Sequence, residues 1–503
     1  MRAVRAYLKT SALTNTTKSR QSTSLEASSG RSHHIKRGLS NQTALRRAVR
    51  FLSSLLLLSG WFAAATPPAQ AESYLLKPSL RNHVTSTVSL SLEMGGELLS
   101  QEDGKLQSQP VSVAGKVLYH ERLLKWSPEA TELARSVRQY EEASATIKVE
   151  DVGVQRTLPT NRRALVVEIR DGYVAIDSLS EPLTREQLDL VNVVGNSLAI
   201  DRLLPGRKIA EGEGWDHDKA AVAPLLGMDH VAVCEVRSVV TGESNNQVQI
   251  RLAGTVHGTI DGAPTEIELR GAYLFHLDRQ RITKFNLAIR EKRTASVVVP
   301  GLDIVAQVKL TIFPAAKKDQ LDADVAARAS DTSRPLRRAL LYDGEQLGFR
   351  FLHDAAWYIT AEQSDVLSLR HLQEGDLTAH CNLSTLPPRS AGRETTLEQF
   401  ERDVRTSIGA HLEKVTASRQ WTTSQGNTCL GVVALGKVED VPMQWRYYLI
   451  AAPGLPRVSI ALTVEQSLIE RFADADRQLV DSMELFPLVS TSTAARTSGP
   501  PTR

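Results

Sequence analysis

Cysteine is nearly absent from this chain of 503 residues. Its three thiols, Cys234, Cys381 and Cys429, are too few for a disulfide scaffold, and none stands in a Cys-x-x-Cys pair or near a histidine at zinc-finger spacing. Other chemical signatures are missing too. There is no Gly-x-Ser-x-Gly elbow, no His-Glu-x-x-His, no Ser-x-x-Lys with companion motifs, and no third glycine after Gly212-x-Gly214 to cradle a phosphate. These absences exclude the common hydrolase, zinc-protease and nucleotide-binding signatures and leave no cofactor implied. Nor does any apolar run reach the 18 or more residues that a bilayer-spanning helix needs.

The nearest approach to one is the apolar stretch 51–65, broken by Ser53, Ser54, Ser59 and Gly60. It follows Arg46, Arg47 and Arg50 and leads through Pro67 and Pro68 to Ala69-Gln70-Ala71. A basic flank, a short apolar core and a small-x-small site are what a signal peptidase reads, so cleavage is expected between Ala71 and Glu72. No cysteine follows that site to carry a lipid. The mature protein is therefore expected outside the cytoplasm, periplasmic or extracellular, with no permanent membrane span. Residues 1–45 hold eight Lys/Arg against the single acid Glu26 and are rich in Ser and Thr. A long bacterial n-region or an early start codon accounts for this leader; the alternative is a bipartite address to the thylakoid lumen.

Charge of one sign is lacking once the leader is set aside. Taking its 11 Lys/Arg and one acid from the whole chain's 60 and 57 leaves 49 basic and 56 acidic side chains, a net charge of −7. A mildly acidic surface gives no footprint for nucleic acid, which needs clustered Lys/Arg.

The segments that remain divide by pattern into a leader (1–71), a β-rich domain (72–313), a linker (314–338), an α+β domain (339–487) and a disordered tail (488–503). In the first domain Val88, Leu90, Leu92 and Met94 alternate with Ser89, Ser91 and Glu93, and 111–119, 143–149 and 165–169 repeat that strand signature. A helical insert follows at 183–226, opened by the capping box Thr184-Arg185-Glu186-Gln187. Five long strand-like runs then form a meander at 231–240, 247–256, 265–277, 281–292 and 304–313. The fold class expected is α+β: a curved, half-barrel-like antiparallel sheet around short helices, then a second antiparallel sheet domain with two helices. The first layout resembles the half-barrel of bacterial envelope carriers of the LolA/LppX type, which implies a lipid or other apolar ligand. Leu183-Thr184-Arg185-Glu186-Gln187, Gly212-Glu213-Gly214-Trp215 and Val299-Pro300-Gly301-Leu302-Asp303 also resemble signatures of uncharacterised secreted bacterial proteins.

In the second domain Phe349-Arg350-Phe351 leads to Trp357, Thr395-Thr396-Leu397-Glu398 opens a helix with Phe400, Val404 and Ile408 on one face, and Trp445-Arg446-Tyr447-Tyr448 marks a late strand. Asp481-Ser482-Met483 closes a last helix. The order resembles the PsbP-like fold, which implies an interaction role with a protein partner.

Candidate chemistry is sparse. Asp216-His217-Asp218 is the densest cluster of metal-ligand residue types, but neighbours in a strand or helix diverge, and a solvated turn with Asp218 as N-cap explains the same letters. Cys381 and Cys429 lie in strand-like runs of one domain, where an oxidising compartment would permit a bridge and two separately buried thiols are the alternative. Trp215, Trp357, Trp421 and Trp445 fit core positions, Trp421 alone looking partly exposed. The expected binding site is an apolar cleft under the curved sheet, lined by Leu269, Tyr273, Leu287 and Ile289. Two functions follow: a non-catalytic envelope protein that binds an apolar ligand or protein partner, or a hydrolase of unrecognised type using dispersed residues such as His120, Glu121, His230 and His257.

Overall fold

Strands of 13–21 residues build most of the first 240 described positions, because apolar and polar residues alternate there with few interruptions. The computed structural model describes residues 72–488 except 81–83, 103, 104, 297, 316–320, 322, 330–335, 337, 338 and 391. The signal segment 46–71 and the tail beyond 488 lie outside the described residues. After a short β1 (Ser73–Leu75) come β2 (Thr85–Glu102), β3 (Lys105–Lys125), β4 (Ala134–Val149), β5 (Val152–Thr157), β6 (Ala164–Arg170) and β7 (Tyr173–Ser178). Helices α1 (Arg185–Val191) and α2 (Ser197–Ile200) follow, then β8 (Lys208–Ala210), β9 (Gly214–Asp216) and α3 (Lys219–Leu226). The second meander is β10 (His230–Ser244), β11 (Gln247–Ile260), β12 (Ala263–His276), β13 (Arg281–Arg293) and β14 (Gly301–Pro314).

All of these except β1 and β8 join one antiparallel sheet in the order β7-β6-β4-β3-β2-β14-β13-β12-β11-β10-β9, with β5 on β4. The last strand pairs with the first long one, Pro314 opposite Ser86 through Gly301 opposite Leu99. The two meanders thus grow outward from the β2–β14 seam, and the chain leaving β7 must cross a face of the sheet to reach β9 at the far edge. The segment that crosses is the helical insert. Its Leu188, Leu190, Val191, Leu198, Ile200, Val222 and Leu225 share one core with the inward residues of both meanders. Thr184 accepts from the Gln187 amide and the Gln187 side chain accepts from the Thr184 amide, the capping box expected from the sequence, and Asp218 caps α3 through the Ala220 amide.

The chain continues through α4 (Ala323–Ala329) to two further sheets. One joins β15 (Ala339–Gly344), β16 (Phe349–Asp354) and the terminal Glu484–Leu485, residues that form β24. The other contains β17 (Trp357–Glu362), β18 (Val366–Gln373), β19 (Asp376–Leu386), β20 (Leu412–Thr422), β21 (Thr428–Val438), β22 (Val441–Ala451) and β23 (Arg457–Glu465), ordered β17-β18-β19-β23-β22-β21-β20. Helix α5 (Leu397–Ile408) packs Phe400, Val404 and Ile408 on β20 and β21, while α6 (Ile469–Phe472) and α7 (Arg477–Asp481) place Phe472 and Leu479 in the other core. The molecule is β-rich and antiparallel, with several sheets and few helices.

Four local expectations change. The segment 314–338 carries α4, whose Val325 and Ala329, with Leu321, bury against Val137 and Val166 on the side of β4 and β6 turned away from the main core. The capping box of α5 uses Thr396 and Gln399, one residue later than the Thr395–Glu398 pair. The last helix is broken between Phe472 and Arg477, where Ala473 takes a left-handed φ of 46°. Strand β20 has no counterpart in the sequence reading because its letters are mostly polar, as suits an edge strand.

The two halves touch through specific groups. Leu183 pairs in parallel with Leu340, and the Leu341 amide donates to the Leu183 carbonyl at 2.8 Å. Arg185, on α1, donates to the carbonyls of Ala355 and Trp357 and lies 4.6 Å from the Tyr358 ring centroid. The Tyr358 hydroxyl in turn donates to Asp261 at 3.1 Å.

Candidate functional site

The expected cleft residues sit inside the main core. Leu269, Tyr273 and Leu287 are 1% exposed and Ile289 3%, and the helical insert packs with them. The hollow left between α1 and strands β2–β4 measures only about 20 Å³, room for a single water. A curved sheet does present an apolar concave side, but the insert that must cross that side fills it. The cleft beneath the sheet is therefore corrected to packed core.

Polar groups in the same core form closed networks. Arg138 donates from Nε to Glu121 at 2.8 Å and from Nη2 to Asn196 at 2.6 Å, while Ser136 and Ser197 donate to Glu121 at 2.9 and 2.8 Å. Burial pushes the Glu121 carboxyl up, yet the Arg138 charge and these hydrogen bonds outweigh it and hold the group below the usual carboxylate range. Asn196 caps α2 through the Leu198 amide, so the network ties that helix to β3 and β4. Adjacent residues after α2 extend the tie. Asp201 accepts from the Ile282 amide at 2.7 Å and from Arg281, while Arg202 donates to the carbonyls of Ser127, Ala130 and Glu132 before β4. One turn of chain thereby grips both meanders. Sequence patterning offers no signal for this, since each partner lies some 70 or more residues away.

The histidines do not converge. His120 bridges Thr87 at 3.1 Å and Glu141 at 2.5 Å, an array of hydroxyl, imidazole and carboxylate. His120 is only 5% exposed, and the array pins β2 to the irregular register of β4. Glu121 points to the opposite face, and His230 and His257 are exposed on β10 and β11. The Asp216-His217-Asp218 cluster disperses: Asp216 pairs with Arg237 at 2.9 Å, His217 bonds the buried Ser238 hydroxyl at 2.7 Å, and Asp218 caps α3. Among the described residues no group of three or more His, Cys, Asp or Glu is placed to hold a metal.

Both Cys381 and Cys429 are free. Cys381 lies on β19 and Cys429 on β21, with β23 and β22 between them, roughly 14 Å of sheet that no disulfide spans. Of the two alternatives left open by the sequence, the structure has the two separately buried thiols. Burial raises Cys381 well above its ordinary value and Cys429 to about 12, so neither offers a thiolate at neutral pH. Trp215, Trp357 and Trp445 are buried and Trp421 is half-buried beneath Arg419.

A larger depression lies on the outer side of the sheet. A groove of about 540 Å³ crosses β12, β13, β14 and β2. Its outward residues are Glu268 and Arg270, Ala288 and Arg290, Val305 and Gln307, and Glu93 and Gly95, two from each strand. Gly95, Ala288 and Val305 are small beside the long side chains of Arg270, Arg290 and Gln307 in the same rows, which makes the dip. Val305 is 60% exposed there, and Ile289 reaches the groove from below. Sequence reading missed this site because each strand contributes only two ordinary surface letters.

No helix among the described residues is long and apolar enough to cross a membrane. No family model matches the chain, and no curated protein matches it. A solved structure from Bacteroides thetaiotaomicron aligns at 7% identity over 29% of this chain and 48% of its own, with a TM-score of 0.23; the match spans about half of that neighbour. Cyanobacterial PsbP from Synechocystis aligns at 12% identity over 30% of this chain and 95% of its own, with a TM-score of 0.24. Lipovitellin aligns at 11% identity over 48% of this chain and 27% of its own, with a TM-score of 0.29.

Proposed function

We propose that this is a non-catalytic exported protein of the cell envelope that binds a partner on its surface rather than carrying a ligand inside. The observation behind this reading is the reversal of the expected cleft: among the described residues the helical insert packs against the inner face of the sheet, and a sizeable groove lies on the outer face. The buried acids and bases around the insert are tied to one another and away from solvent, the pattern of a scaffold rather than of an acid–base site. The segment 72–313 is read as a half-barrel-like module and 339–487 as a PsbP-like one, the latter offering a second surface for a protein partner. Export follows from the segment ending at Ala71.

Titration of the full chain with a hydrophobic fluorophore, competed with a fatty acid and a phospholipid, tests the reading. The expected result is no saturable lipid site. Stoichiometric, competable binding would restore the carrier.

A further inference from the structure

The groove has a direction and two unlike ends. Register places Arg270 beside Ala288, Ala288 beside Gln307 and Gln307 beside Glu93; the next outward row runs Glu268, Arg290, Val305, Gly95. The strands therefore offer two arginines and one carboxylate, Glu268, at the β12–β13 end, a net positive charge, and a carboxylate, Glu93, on β2. Three strand steps separate these ends, about 14 Å. Between them the floor is uncharged: Ala288, Val305, Gly95 and the underlying Met94 and Ala306.

The end charges are loosely held. Arg270 reaches Glu268 at 2.8 Å with both side chains largely in solvent, and Arg290 stands 3.8 Å from Asp303. Exposed pairs of this kind contribute little and yield to a better-placed carboxylate. An acyl chain laid across this floor would cover four charged groups, Glu93, Glu268, Arg270 and Arg290, without satisfying them. A strand cannot add by backbone pairing either, because the backbone here already pairs on both sides. Recognition must then come from side chains of a dipolar, partly apolar molecule about 14 Å long.

Resting on the surface-binding reading above, we propose that the groove takes an extended peptide segment of a protein partner, with an acidic side chain at Arg270 and Arg290, a basic one at Glu93, and a small apolar residue between. An extended chain advances about 3.3 Å per residue and returns to the same face every second residue, so positions i, i+2 and i+4 cover the span. The pattern is basic-x-apolar-x-acidic, read in either direction.

The test uses the full chain and three end-capped fluorescent pentapeptides: Lys-Ala-Val-Ala-Asp, Lys-Ala-Val-Ala-Lys and Glu-Ala-Val-Ala-Glu. The first binds saturably and the two of single sign bind about tenfold more weakly or not at all. Gly95→Trp fills the groove at a position where an added Cβ meets nothing within 4 Å, and Arg290→Glu reverses one end. Each weakens the first peptide about tenfold while circular dichroism stays unchanged. Equal binding of all three peptides, or binding indifferent to Gly95→Trp, overturns the proposal. If vesicles of phosphatidylethanolamine and phosphatidylglycerol bind in a Gly95→Trp-sensitive way and the peptides do not, the peptide assignment falls while surface binding stands. Lipid held by wild type and Gly95→Trp alike, with no peptide bound, removes both.

Discussion

Single buried polar residues carry much of what makes this fold specific. Glu121 and Arg138 form an ion pair with both partners at most 3% exposed, and removing one member of such a pair strands the other. Glu121→Gln is expected to cost about 3–5 kcal/mol in a denaturant titration, far more than the loss of an exposed pair such as Arg237–Asp216. Two buried histidines add a pH dependence. Burial pushes His217 and His371 down to about 4, so the native state binds fewer protons than the unfolded state between about pH 6.5 and 4. Stability from these groups is complete above that window and is lost as pH falls through it, up to roughly 3 kcal/mol each. Asp201 works the other way, since burial raises its carboxyl and its protonated form favours the native state as pH falls. Comparing wild type with a His217→Gln, His371→Gln double variant at pH 7 and 4.5 isolates the histidine part; an unchanged acid slope would contradict it. None of these roles was legible beforehand. Arg138 and Asp201 look like surface charges in strand and turn and Glu121 stands only among dispersed catalytic candidates, while the crossing of the insert is what brings Asn196 and Ser197 to Arg138 and Glu121, and Asp201 to Ile282, under the sheet.

At the scale of elements the sequence was far more readable. Two-residue alternation located the second meander and most of the first, and the Thr184 and Asp218 caps were visible as written. What failed was local chemistry set by an edge or a break: β20, too polar to register, and the final helix, interrupted at Ala473. Close backbone approach is another hidden constraint. Gly254 on β11 has φ +155°, and a Cβ there would stand 2.0 Å from the Glu235 carbonyl oxygen on β10. Gly254→Ala must therefore displace backbone, and a loss of about 1–3 kcal/mol with fraying of the β10–β11 pair in hydrogen exchange is expected. A neutral substitution would mean that the two strands separate without cost.

For the whole molecule, topology decides which face of the sheet is left open. Because β7 and β9 end at opposite edges of one sheet, the connecting helices had to cross a face, and their apolar side chains closed the hollow that the strand pattern alone suggested. Leu269 illustrates the consequence. As a cleft residue it would tolerate a polar substitution, whereas at 1% exposure Leu269→Glu buries a charge without a partner and unfolds the protein. The most direct test is native mass spectrometry of the full chain purified without detergent. Packing of the insert against the described core predicts the mass of the bare polypeptide, with no small molecule released on unfolding. One lipid retained per chain and freed only by denaturation would contradict the filled core and return the binding site to the inside of the sheet.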